Sequence, residues 1–300
     1  MSIRTIAVLG AGIMGRGIAY VAALGGYDTV LQDTNREQLD KGANDISAIL
    51  EKGVATGKVA ESDAVAARKR LRTALTLGEA AAQADLVIEA VPERIDLKIE
   101  IFSQLDRIVP KHAILASNTS SLSITEMAAA TTRAPQVVGL HFFNPVHRMK
   151  LLEIVRALET SDATIAACEA VGAAMGKDCV TVRESPGFVT SRINAMIGNE
   201  AFYMLQEGVA SARDIDTTDD GAEAGRQRQG IHQHRLDGQR DRAKHQEQHD
   251  EHDARDDEHH PGCASADGVF QIAQHRTGST DLDGEAGGEA ERAQRFDLGQ

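Results

Sequence analysis

Residues 6–33 read IAVLGAGIMGRGIAYVAALGGYDTVLQD, and the fold turns on how this stretch is parsed. The apolar, β-branched run from Ile3 to Leu9 stops at Gly10 and gives way to helical spacing, with apolar residues at Ile13, Met14, Ile18, Val21 and Ala22. The spacing predicts a strand, a tight turn and a helix. The turn is Gly10-Ala-Gly12-Ile13-Met14-Gly15. Its first glycine permits the sharp bend, its second lets backbone approach a pyrophosphate, and its third lets the helix pack closely on the strand. The helix start would then face phosphates with open N–H groups and a positive dipole end. A second run, Thr29 to Gln32, ends in Asp33, whose carboxylate is placed to accept the adenosine ribose hydroxyls and to repel a 2′-phosphate. The expectation is a dinucleotide site that favours NAD over NADP. Glycines also mark ordinary turns, and it is the strand before, the helix after and the acid ending the next strand that give this motif its meaning.

Three hundred residues suffice for two domains, but the apolar residues are unevenly spread. The formal charge of −13 and the absence of a basic patch with interleaved aromatics argue against nucleic acid. No stretch is long and apolar enough to span a bilayer, and the N-terminus runs straight into the first strand, so a cytoplasmic location is expected. Cys168, Cys179 and Cys263 lack metal-type spacing and read as buried or incidental thiols; no metal site is expected.

From Asn35 to about Leu75 the chain is charged with helical period: Leu39, Ile46, Ile49 and Leu50 form one stripe, Val65, Leu71 and Leu75 a second. This reads as a helical hairpin projecting as an arm, with Lys52 and Lys58 either meeting an anionic substrate tail or simply solvated. Strands are then expected at 85–91, 113–117, 137–140 and 151–155, with a helix at 96–109 and another from about Ile124, capped by the Asn118–Ser121 loop. The alternation indicates an α/β, doubly wound, mainly parallel sheet.

His141 falls at a strand end, where ligands collect in such sheets, and histidine is the side chain suited to taking and returning a proton near neutral pH. Glu153 sits among Leu151, Leu152, Ile154 and Val155, where a carboxylate is costly to bury unpaired. A His–carboxylate pair accounts for both; so do a histidine satisfied by backbone and a glutamate reaching solvent from an edge strand.

The runs GAGIMGRGIA, EAVPE with Lys98, SNTSSL (117–122), GLHFFNPVHRMKLLEIV (139–155) and SPGFVTSRI (185–193) resemble the L-3-hydroxyacyl-CoA dehydrogenase family, in unbroken order from residue 3 to about 217. The resemblance implies an NAD-dependent oxidoreductase acting on an acyl-CoA substrate such as 3-hydroxybutyryl-CoA, as a homodimer. It makes His141 the base and Glu153 its partner. Ser120 and Asn144 would touch both substrate and nicotinamide, and Glu93 and Lys98 would line the nicotinamide ribose. For Ser120 and Asn144 the residues alone also allow helix capping and turn formation. Pro186-Gly187-Phe188 would be the hinge, and Ser191 stands where many relatives have asparagine, as a shorter substrate contact. Relatives with similar motifs oxidise polyol acids such as gulonate, a second enzyme reading; a third is an NAD-binding protein without turnover.

Three segments are expected: a cofactor domain at 1–184, the start of an all-α dimerisation domain at 185–217, and a tail at 218–300. Val189, Ile193, Met196, Ile197, Met204 and Leu205 form an apolar helical stripe, and Asp214 opens another helix. From Thr218 the pattern breaks abruptly into Asp, Gln, His, Arg, Gly and Glu with no period. A shifted reading frame, which resequencing the DNA around codon 217 tests, or a disordered acidic tail both fit. A metal site from His252, His259 and His260 lacks helix or turn spacing. If the tail is native, the apolar stripe stays exposed, which argues against this chain assembling as a dimer.

Overall fold

The computed structural model describes residues 3–218; the tail expectations, including the shifted frame and the histidine cluster, lie outside the described residues. Strand β1 (Thr5–Leu9) leads through the glycine turn into α1 (Ile13–Leu24), and β2 (Asp28–Gln32) follows. Both faces of β1 are covered. Ile6 and Val8 point into a cluster with Ile18, Val21 and Leu31, while Ala7 and Leu9 point into a second cluster with Val87, Phe102 and Leu105. Period-two alternation therefore distributes the apolar side chains between two cores, and each fully buried Leu or Ile contributes about 2 kcal/mol of transfer free energy.

After β2 come α2 (Arg36–Ala55), α3 (Glu61–Arg70), β3 (Leu71–Ala74), α4 (Leu77–Ala81), β4 (Leu86–Glu89) and α5 (Ile95–Ile108). Then follow β5 (Ile114–Ser117), α6 (Ile124–Ala129), β6 (Val137–Phe142), β7 (Leu151–Arg156), α7 (Asp162–Ala174), β8 (Asp178–Arg183) and α8 (Thr190–Gln206). The sheet has eight strands in the order β3-β2-β1-β4-β5-β6-β7-β8. All neighbours are parallel except β6 and β7. The chain winds outward from β1 in both directions, so the crevice between the ends of β1 and β4 is the topological switch point where ligands bind in this class.

The helical pair expected after β2 is present, with Leu39, Ile46 and Leu50 buried, but it is not a free arm. Both helices pack on α1, and the second stripe fails: Val65 is exposed, Ala64 and Ala67 are buried instead, and Leu71 opens strand β3. Four residues with only Ala74 fully buried give no strand period, which is why a helical continuation fitted as well. The α6 cap also differs. Ser123, not the 118–121 loop, accepts from the Glu126 N–H at 3.1 Å. Strand β8 and helix α7 lie between the expected 151–155 strand and the hinge, a stretch for which no element was expected.

Candidate functional site

The glycine turn builds one side of the site. Gly10 adopts φ +93°, open to glycine and strained for other residues, and its N–H donates to the Gln32 carbonyl at 2.8 Å. A Cβ on Gly15 would lie 1.7 Å from the Gly10 carbonyl oxygen, so that position admits no side chain. A Cβ on Gly12, by contrast, would meet nothing within 4 Å: it would project into open space. No side chain caps α1 at Gly12, which leaves the N–H groups of its first turn free toward that space. Asp33, at the end of β2, accepts from the Ala11 N–H and the Asn35 N–H, each at 2.9 Å, and so is locked to the turn. Gly10, Gly12, Ile13, Met14, Asp33 and Val91 lie on the wall of one cleft of about 810 Å³. An anion-seeking helix end beside an acid fits a dinucleotide: pyrophosphate over the turn, ribose on Asp33.

Four strands along, side chains take over. Strands β6 and β7 are antiparallel and pair His141 directly with Glu153, so both side chains leave the same face. His141 Nδ1 lies 2.7 Å from Glu153 Oε2, and His141 Nε2 lies 3.0 Å from Ser120 Oγ. The rings of Phe143 and Phe188 flank the imidazole at 4.4 and 5.8 Å between centroids. Glu153 is 2% exposed. Burial alone would raise its pKa, but hydrogen bonds from His141 and from the Thr190 hydroxyl and N–H outweigh it and hold the carboxyl below its ordinary range. An ionised carboxylate only accepts, so the ring proton sits on Nδ1 and the Nε2 lone pair faces Ser120 and the solvent side. Of the two site readings open in the sequence, the structure brings about the paired one.

The loop that presents Ser120 is held from two directions. Asn118 Oδ1 accepts from the Phe142 N–H at 2.9 Å, tying the end of β5 to the end of β6. Glu93 accepts from the Ser120 N–H at 3.2 Å and from the Thr119 hydroxyl. Lys98, expected to line the cleft, instead lies beneath it. It is 1% exposed, with Nζ 2.7 Å from the buried Glu89 and 3.2 Å from Glu93. Glu89 also accepts from Ser117 Oγ at 2.6 Å, so the lysine charge is fully matched. Glu89, Asn118 and Thr190 were missed by sequence reasoning. The only signal was Glu89 within the apolar strand LVIE, the same oddity that drew attention to Glu153.

Asn144 is exposed in the turn after β6, and Ser191 is partly exposed in the first turn of α8. It is Thr190, one residue earlier, that reaches Glu153. The hinge is as expected: Phe188 is buried with φ +48°, and Glu184 just before it accepts from Ser123 Oγ at 2.7 Å.

Residues 5–185 match the NAD binding domain of 3-hydroxyacyl-CoA dehydrogenase, and residues 187–222 match the C-terminal domain of the same enzyme family. The chain is 45% identical over 216 residues to a probable 3-hydroxybutyryl-CoA dehydrogenase of Bacillus subtilis, covering 72% of this chain and 75% of that one. It is 41% identical over 221 residues to the human mitochondrial hydroxyacyl-coenzyme A dehydrogenase, covering 72% and 70%. The crystal structure of an (S)-3-hydroxybutyryl-CoA dehydrogenase from Ralstonia eutropha superposes with a TM-score of 0.68 at 45% identity, over 71% of this chain and 75% of that one. With its glycine turn, its strand order and its His–Glu pair in the same register of motifs, the chain belongs to the 3-hydroxyacyl-CoA dehydrogenase family, a family of oxidoreductases.

Proposed function

We propose that this protein catalyses the reversible NAD-dependent oxidation of an L-3-hydroxyacyl-CoA, 3-hydroxybutyryl-CoA in the first instance, to the 3-oxoacyl-CoA. The observation that carries the reading is the imidazole of His141, clamped between Glu153 and Ser120 at the strand ends that also form the dinucleotide cleft. What NAD supplies when bound is a hydride acceptor for the hydrogen on C3 of the substrate. Gly10, Gly12, Ile13, Met14, Gly15 and Asp33 would hold its adenosine and pyrophosphate; Glu93, Ser120 and Asn144 would meet its nicotinamide half, with Lys98 acting from beneath through Glu93.

His141 Nε2 takes the proton of the 3-hydroxyl as the C3–H bond breaks and the carbonyl forms, and returns it in the reverse direction. Ser120 Oγ, 3.0 Å from Nε2, donates to the substrate 3-oxygen and fixes its distance from the imidazole. Glu153 holds the ring in the tautomer that leaves Nε2 free and stabilises the imidazolium once the proton has moved. Phe143 and Phe188 exclude water from the ring faces, which strengthens that stabilisation. Ser191 would contact the substrate from α8.

Asp33 supports NAD over NADP, because a second negative charge at the ribose would face the carboxylate. The free thiols of Cys168 and Cys179 support a reducing, cytoplasmic setting. The exposed Ile193, Met196, Phe202 and Tyr203 on α8 support a self-associating surface, the homodimer. The family matches change over between residues 185 and 187, which supports dividing cofactor domain from second domain at the hinge.

The test is oxidation of NADH by acetoacetyl-CoA with the whole chain, with NADPH and gulonate compared and NADH binding followed by fluorescence. Turnover with acetoacetyl-CoA and NADH is expected. Turnover with gulonate alone moves the reading to a polyol-acid dehydrogenase on the same fold. Binding without turnover reduces the protein to a cofactor-binding one.

A further inference from the structure

The residue that completes the His–Glu pair comes from outside the cofactor domain. Glu153 Oε1 accepts from the Thr190 hydroxyl at 2.8 Å and from the Thr190 N–H at 2.9 Å, while Oε2 faces His141 Nδ1. Thr190 is the first residue of α8, and it lies in the segment matching the family's C-terminal domain, whereas His141 and Glu153 lie in the segment matching the NAD-binding domain. The contact is built rather than incidental. Phe188 is buried against the His141 ring at a strained φ of +48°, and this fixes where α8 begins. The carboxylate in turn satisfies the open N–H at the α8 start, where no side chain of α8's own N-cap does so.

We infer that Thr190 is a positioning residue for proton transfer: its hydroxyl pins one oxygen of Glu153 so that the other is presented to His141, and the second domain thereby sets the basicity of the imidazole. A buried carboxylate that can rotate would share its charge between His141 and other donors. With Oε1 occupied twice, the rotation is blocked. The other charged groups joined to the pair are Glu93, reached through Ser120, and Lys98 behind it; β8, the strand flanking β7, sets Val180 beside Glu153. The only donors on Oε1 are therefore those of Thr190 among the described residues.

The inference rests on the proposed role of His141, so its test reads the histidine itself as well as turnover. Thr190→Val keeps the shape and the N–H and removes the hydroxyl; Thr190→Ser restores it. Loss of a donor leaves the carboxylate more electron-rich, so in Thr190→Val the His141 ring resonances should titrate about half a pH unit higher than in the wild-type chain. The acidic limb of kcat/KM for hydroxybutyryl-CoA oxidation should move in the same direction. Turnover should fall about three- to ten-fold with KM for the substrate unchanged, the loss of a hydrogen bond to a charged group felt in the transition state. Thr190→Ser should match wild type in all three. A Thr190→Val protein whose His141 titrates as in wild type, or a Thr190→Ser protein that behaves like the valine variant, overturns the inference. A shifted histidine titration in a chain with no hydroxyacyl-CoA turnover upholds the coupling and rejects the activity reading.

Discussion

At the ends of β1, β2 and β4 the site is made of backbone; at the ends of β5, β6 and β7 it is made of side chains that hold one another. On the first side, Gly10 and Gly15 are fixed by a positive φ and by the absence of any space for a Cβ, and Asp33 is tied directly to the turn. On the second, Ser120, His141, Glu153 and Thr190 come from a loop, two strands and a helix, and each is oriented by the next. A site made of backbone fails when the chain cannot take its shape. A site made of linked side chains fails when one partner loses the right charge or the right lone pair. The comparison predicts that damage on the first side removes binding, and that damage on the second leaves binding and removes chemistry.

The largest effect is expected at Gly15. In Gly15→Ala the new carbon would sit 1.7 Å from the Gly10 carbonyl, so the turn must open. NADH binding should be lost altogether, and the melting temperature should fall by about 5–10 °C, as for an overpacked core position. A calorimetric scan and a fluorescence titration read both, and binding that survives would mean that the turn is not the cofactor cradle.

Glu153→Gln should come next, and on the other side of the comparison. Both neighbours of Glu153 donate to it, and an amide offers only one oxygen, so its NH2 would force the imidazole into the tautomer that has no Nε2 lone pair. Turnover should fall by about a thousand-fold with NADH affinity within two-fold of wild type. Steady-state rates beside a binding titration separate the two quantities.

Asp33→Ala should do less, and only to the cofactor. It removes an acceptor of two backbone N–H groups and the proposed ribose contact, so NADH should bind about ten- to a hundred-fold more weakly, and the preference over NADPH should shrink toward unity. An undiminished preference would place cofactor discrimination elsewhere. The smallest effect is on stability. Because Glu153 is held below its ordinary pKa of 4.5, it contributes stability that is fully present above that pH and is lost as pH falls through its lower folded-state value. Wild type should therefore lose melting temperature more steeply below pH 4.5 than Glu153→Gln does, measured in parallel acid titrations.

The same division explains what was legible in the sequence. The backbone side could be read almost completely, because glycine spacing and a strand-ending acid are local and each has one physical meaning. His141 and Glu153 could be named, since a histidine at a strand end and an acid inside an apolar strand both violate pattern. Their contact depended on an antiparallel register that spacing alone does not fix. Lys98 was placed on the cleft wall because lysines on amphipathic helices face water, and it is buried here only because Glu89, itself hidden in a strand, neutralises it. Thr190 was passed over for its neighbour Ser191, because helical facing in the first turn is set by the hinge conformation at Phe188 and not by composition. Strands β3 and β8 were not expected for a simpler reason: edge strands bury too few side chains to show a period.

One measurement tests the central claim most directly: NADH oxidation by acetoacetyl-CoA in the 300-residue chain and in its His141→Gln variant, with NADH dissociation constants taken on the same samples. The account predicts turnover in the first, a loss of about a thousand-fold in the second, and dissociation constants within two-fold of each other. Equal turnover in the two proteins, or a variant that has lost cofactor binding in proportion to its rate, would contradict it.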